Sequence, residues 1–160
     1  MSVDTKQAFG RRTLSYQSYD DLLADAEQLA GGEVTMVGNW SLGQSCKHLA
    51  EALNASIDGT DFKMPWIMKT MARLLMKNKM LNNTLSPGFK IPESDKAKFE
   101  PSPTITTEEG LDALRAAIER CKSEEKRAPH PAFGQLSRED YDKFNQRHAE
   151  LHMSFAVPAS

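Results

Sequence analysis

Cysteine is scarce in this 160-residue chain, with Cys46 and Cys121 the only two. They stand far apart, in stretches patterned as helix interiors, which excludes a disulfide framework and points to a reducing compartment. Long apolar runs are missing as well. No stretch approaches the ~18 consecutive apolar residues of a membrane span, so no membrane partner is expected. The Arg11–Arg12 pair lacks the apolar run that an export signal needs, because Asp20, Asp21, Asp25 and Glu27 interrupt the residues after it. The expected location is cytoplasmic. Basic excess is also lacking: 20 Lys and Arg against 22 Asp and Glu leave a net charge of -2. Counterion release then has little to work with, which excludes a dedicated nucleic-acid binder. There is no Cys-x-x-Cys, no phosphate-binding glycine loop and no recognisable Ser-His-Asp set. Sustained alternation of apolar and polar residues is absent, so no sheet larger than two short strands is expected.

What is present reads as helix. Ser18 with Asp21 caps a first helix over Tyr19–Ala30, whose apolar stripe is Leu22, Leu23, Ala26 and Leu29. A short extended connector, Val34–Trp40, comes next. Ser41 with Gln44 caps a second helix that reaches Ile57, before Asp58-Gly59 breaks it. Pro65 opens a third, Met-rich helix, PWIMKTMARLLMKNKM, whose methionines suit an adaptable contact surface. Prolines then punctuate Leu81–Thr106, a stretch too long for an ordinary connection and expected to be an ordered loop anchored by Phe89, Ile91 and Phe99. Thr106 with Glu109 caps a fourth helix, EEGLDALRAAIERCKSEEK. Ser137 with Asp140 caps the last, over Arg138–Ala156. The chain length fits a single domain over 1–160, with 1–17 as an N-terminal extension and 81–106 as the long loop. The expected fold class is all-α, an up-and-down antiparallel bundle.

The last helix carries the chemistry. At about 100° per residue, Tyr141, Phe144, His148, Leu151, His152 and Phe155 share one face, while Lys143, Gln146, Arg147 and Glu150 lie to the sides or back. His148 and His152, four apart, sit one turn above each other and can meet one metal. Two core histidines with separate hydrogen-bond partners are the alternative. Buried imidazole nitrogens without partners cost about 1–3 kcal/mol apiece, which favours a shared ligand. His48, on the second helix, falls at the edge of its apolar stripe beside Ser45, Ala52 and Ala55. Spacing alone leaves it between a surface-edge residue and a third ligand. His130, between Pro129 and Pro131, suits a turn-stabilising role or one behind the ligands. Tyr141 and Asn145 share the histidine face and either line a pocket or pack. Glu51, one turn from His48, is the nearest candidate for a base, against the plain alternative of a solvated carboxylate. Cys46 is turned away from His48 toward the core.

The succession GNWSLGQSCKHLAEALNASIDG, SPGFKIP and HPAFGQLSREDYDKFNQRHAELH resembles the DinB/YfiT-like superfamily, and closely resembles a branch of it with no assigned function. The likeness runs from Arg11 to Phe155. It implies a four-helix bundle in which one histidine of the second helix and two of the last, here His48, His148 and His152, bind a divalent metal. Three neutral nitrogens and an open fourth position describe a reactive rather than a structural site. Zn, Ni, Fe or Cu would each suit three imidazoles, so the identity of the metal stays open. Relatives in the superfamily use such a metal with low-molecular-weight thiols, or for hydrolysis and isomerisation. The resemblance therefore implies a small-molecule substrate, with a thiol cosubstrate if the reaction is transfer. A non-catalytic bundle with a stress-related, binding or structural role is the competing reading. A homodimer is compatible with either.

Overall fold

Three reciprocal capping boxes begin helices where the sequence places them. Ser18 and Asp21, Ser41 and Gln44, and Thr106 and Glu109 each exchange side-chain-to-backbone hydrogen bonds, satisfying amides that a helix start leaves bare. The computed structural model describes residues 3–62, 64–88 and 99–159. Within them the elements are α1 (Tyr19–Ala30), β1 (Val34–Met36), α2 (Leu42–Asp58), α3 (Trp66–Met71), a π-helical turn (Ala72–Met76), α4 (Lys77–Asn82), α5 (Thr107–Ser123), α6 (Arg138–Met153) and β2 (Ala156–Pro158). Among the described residues the fold is mostly helical, with one two-stranded sheet, consistent with an all-α class. No helix among the described residues is long and apolar enough to cross a membrane.

The extended Val34–Trp40 connector begins as a strand, as its expected extended character allows, whereas the last helix stops at Met153 rather than Ala156. β1 and β2 pair antiparallel, Val34 opposite Pro158 and Met36 opposite Ala156. A three-residue strand is too short to display alternation, and Pro158 is tolerated because it closes an edge. The Met-rich third helix is continuous in position but wound as a π turn in its middle, an insertion with no signature in apolar spacing. The capping pair of α6 is one-sided: Ser137 accepts from the Asp140 amide, while the Asp140 carboxylate pairs with Lys77 at 3.1 Å.

Leu22, Ala26 and Leu29 of α1 meet Leu49, Leu53 and Ile57 of α2, Leu114 and Ile118 of α5, and Met153 of α6 in one core cluster. α2 and α5 approach closely at Gly43 and Gly110, where a Cβ on Gly110 would lie 2.3 Å from the Gly43 carbonyl oxygen. Only hydrogen fits there. The N-terminal segment is strapped across α1 and α6. Arg12 forms a fork with Asp25 at 2.7 and 2.8 Å, and the Tyr16 amide donates to Glu150 at 2.7 Å. Glu150, expected at the side or back of the last helix, is 2% exposed for this reason, with Arg147 2.7 Å away as its counter-charge. The strap supplies a polar partner that a helical wheel cannot show.

Candidate metal centre

α2 and α6 pack side by side, and this contact brings His48 to His148 and His152. The ring nitrogens converge: His48 Nε2 lies 3.3 Å from His148 Nε2, and His152 Nε2 lies 3.0 Å from the same atom. One ligand atom from each residue falls within 4.8 Å of the others. All three rings are partly buried.

The protons of this cluster can be counted. His48 Nδ1 is 3.1 Å from the Phe99 carbonyl oxygen, which can only accept, so Nδ1 carries the proton and Nε2 presents a lone pair. If His148 Nε2 is also bare, two lone pairs face each other at 3.3 Å. If it is protonated, its single hydrogen serves one neighbour and leaves the other contact unbonded. Every neutral arrangement therefore leaves at least one close nitrogen pair without a hydrogen bond between them. A further proton is disfavoured. Burial, then the neighbouring His48 and His130, push His148 down to about 3. Burial, then His148, His48 and Arg11, lower His152 well below its ordinary value. Burial also lowers His48, partly offset by the Phe99 carbonyl. A cation other than a proton resolves the conflict, and three neutral imidazoles are a donor set that fits a divalent metal.

Aromatic rings fix the cluster in place. Trp40 stacks on His152 with centroids 5.3 Å apart and planes 9° from parallel, and lies 4.9 Å from His48. Phe144 stands 6.1 Å from His148. Sequence reasoning passes over both Trp40 and the Phe99 carbonyl. Trp40 immediately precedes the Ser41 cap, and its ring lies against His48 of α2 and His152 of α6. A backbone carbonyl has no sequence signal at all.

The remaining candidates separate from the cluster. His130 Nδ1 accepts the amides of Ala132 and Phe133 at 3.1 and 3.2 Å, closing the His130–Gly134 turn. Burial pushes it down to about 4. Its turn-stabilising role is thus accounted for. Tyr141 packs with Ala72, Phe133 and Leu136 in a second apolar cluster, 5.7 Å from the His130 ring. Asn145 donates to the Tyr19 hydroxyl at 3.1 Å and so turns to α1. Glu51 is a solvated carboxylate, 46% exposed, 3.7 Å from Lys47 on its own helix. Cys46 is buried in the core cluster. Of the proposed loop anchors, Phe89 and Ile91 lie outside the described residues. Phe99 meets Phe62 edge-on at 5.7 Å.

No curated protein matches the chain, and no solved structure matches it. The sequence profile of one family matches residues 8–159, nearly the whole chain, and on that match the chain belongs to the family described as "Protein of unknown function (DUF1569)".

Proposed function

We propose that the chain is a DinB/YfiT-like four-helix bundle that holds one divalent metal through His48, His148 and His152, and uses it on a small electrophile by thiol transfer or hydrolysis. The observation that carries this reading is the surplus of lone pairs: three imidazole nitrogens meet with too few protons between them, and burial opposes adding one. Resemblance to the superfamily supports the same three residues independently of the geometry.

The residues divide the work. Phe99 holds the His48 proton on Nδ1 and so keeps Nε2 free to donate its lone pair, as hydrogen-bonded histidine ligands do. Trp40 presses His152 into one orientation, and Phe144 flanks His148. These aromatic walls also lower the local polarity, which strengthens any charge interaction at the centre. When bound, a divalent cation there supplies Lewis acidity toward a thiol or a water.

One observation favours the non-catalytic alternative. The Trp40 and Phe144 rings crowd the cluster, and a groove of about 590 Å³, lined by Gln17, Arg138, Asp142, Lys143 and Arg147 among others, contains none of the three histidines. That groove is open and of mixed charge, with no nucleophile or ligand set, so the histidine cluster remains the better seat for chemistry. Elemental analysis of untagged protein, followed by a screen of low-molecular-weight thiols against small electrophiles, tests the proposal. One Zn, Ni or Fe per chain with turnover supports the enzyme. Metal without turnover supports the alternative reading, and no metal uptake overturns the metal-dependent reading and leaves the non-catalytic bundle.

A further inference from the structure

The apolar side chains that the core leaves out are concentrated in one place. Trp66 is 75% exposed, Leu74 73% and Leu75 72%, and Ile67, Met68 and Met71 are each more than half exposed. Among the described residues, the other strongly exposed large apolar side chains outside 66–76 are Val3 and Phe9. Ile67, Met71, Leu74 and Leu75 keep the i, i+4, i+7, i+8 spacing of an amphipathic helix, a pattern that normally faces a core. Here the core-facing contacts come from elsewhere on the segment: Ala72 and Met80 pack against Phe133 and Tyr141, and Leu81 is buried. The face toward solvent is a second apolar face.

Its charge is one-sided. Residues 64–88 hold Lys69, Arg73, Lys77 and Lys79 and no Asp or Glu, although the chain as a whole is net -2. Lys77 is engaged by Asp140, while Lys69, Arg73 and Lys79 are exposed. A second copy is a poor occupant. A two-fold contact sets the same patch against itself, and the segment offers no carboxylate to meet these cations. Exposed Trp, Leu, Ile and Met beside Lys and Arg, without acidic residues, is the composition of a helix that lies in the headgroup region of an anionic bilayer. Flexible methionines suit a disordered apolar medium. The absence of a spanning helix among the described residues is no obstacle, since interfacial binding requires none. This departs from the expectation of no membrane partner, which was argued from the lack of spanning runs and did not weigh interfacial binding.

We propose that Trp66–Asn82 is a peripheral membrane-docking element that inserts its exposed apolar face into an anionic lipid surface. The test is co-sedimentation of the full chain with phosphatidylcholine vesicles, with and without a third of phosphatidylglycerol. Binding is expected to the anionic vesicles and to weaken sharply in about 0.5 M salt, where the Debye length is only a few Å. Lys69→Glu with Arg73→Glu should weaken it at least about tenfold, each cation near the surface contributing separately. Leu74→Gln with Leu75→Gln should do likewise with unchanged helix content, because both side chains are solvent-exposed before binding. Equal sedimentation with both vesicle types, or binding that survives both double variants, overturns the proposal. Absence of vesicle binding together with a dimer that Leu74→Gln/Leu75→Gln dissolves also overturns it, and assigns the face to a second copy.

Discussion

His130 and the His48–His148–His152 cluster are alike in burial and opposite in bonding. Burial drives His130 to about 4 and His148 to about 3, so neither environment welcomes a proton. At His130 the lone pair of Nδ1 is met by two backbone amides. At the cluster three nitrogens meet, and no neutral arrangement gives both close contacts a hydrogen bond. A lowered histidine pKa therefore marks burial first and neighbouring rings second, and does not by itself identify a ligand. What separates a structural histidine from a ligand is where its second nitrogen points.

The sharpest way to break this comparison is to remove a cluster ring. His148→Ala or His152→Ala should lower divalent-metal affinity more than about 100-fold, beyond the range seen when only an outer partner of a ligand is lost. His130→Ala should leave it within about twofold, since that residue has no lone pair to give the metal. Equilibrium titration with Zn or Ni measures both.

The two histidine environments should also separate in thermal unfolding. Metal at about 100 times its Kd adds about 2.7 kcal/mol to the folded state, a rise of several degrees in Tm for a chain this size. The rise should vanish in His152→Ala and persist in His130→Ala. The latter should instead start lower, by about 1–3 kcal/mol, because the Ala132 and Phe133 amides lose their acceptor.

Acid should erode both regions in the same direction. In the folded chain His130 and His148 stay unprotonated down to about 4 and about 3, whereas the unfolded chain takes up protons below the ordinary value of 6.5. The unfolded state then binds more protons in that window, so metal-free stability falls as pH drops through it, by at most about 1.4 kcal/mol per pH unit for each such histidine. Denaturant titrations between about pH 7 and pH 4.5 should show a shallower slope in His130→Ala, by one histidine's share. An unchanged slope would mean that His130 protonates in the folded state. The smallest effect belongs to Glu51. Exposed and paired with a lysine on its own helix, it should leave metal affinity unchanged on replacement by Ala.

Much of this contrast could be read from the chain, and the unread part has a common cause. Capping boxes and four-residue spacing are local, so α1, α2, α5 and the pairing of His148 with His152 are visible in the sequence. His48 reads as ambiguous because its position depends on how α2 packs against α6, whose His148 is 100 residues away. The β1–β2 pairing, the burial of Glu150 beneath Tyr16, the turn of Asn145 toward Tyr19 and the Phe99 carbonyl behind His48 are likewise products of distant contact. The same is true of the exposed apolar face over Trp66–Met76: its spacing announces an amphipathic segment, but not that the face would be left without a core.

Three nitrogens sharing one cation is the central claim, and calorimetric titration of metal-free protein with Zn tests it most directly. One site per chain is predicted in the wild type, with loss of that site in His148→Ala and its retention in His130→Ala. No saturable binding in the wild type, or a site of equal affinity that survives His148→Ala, would contradict it.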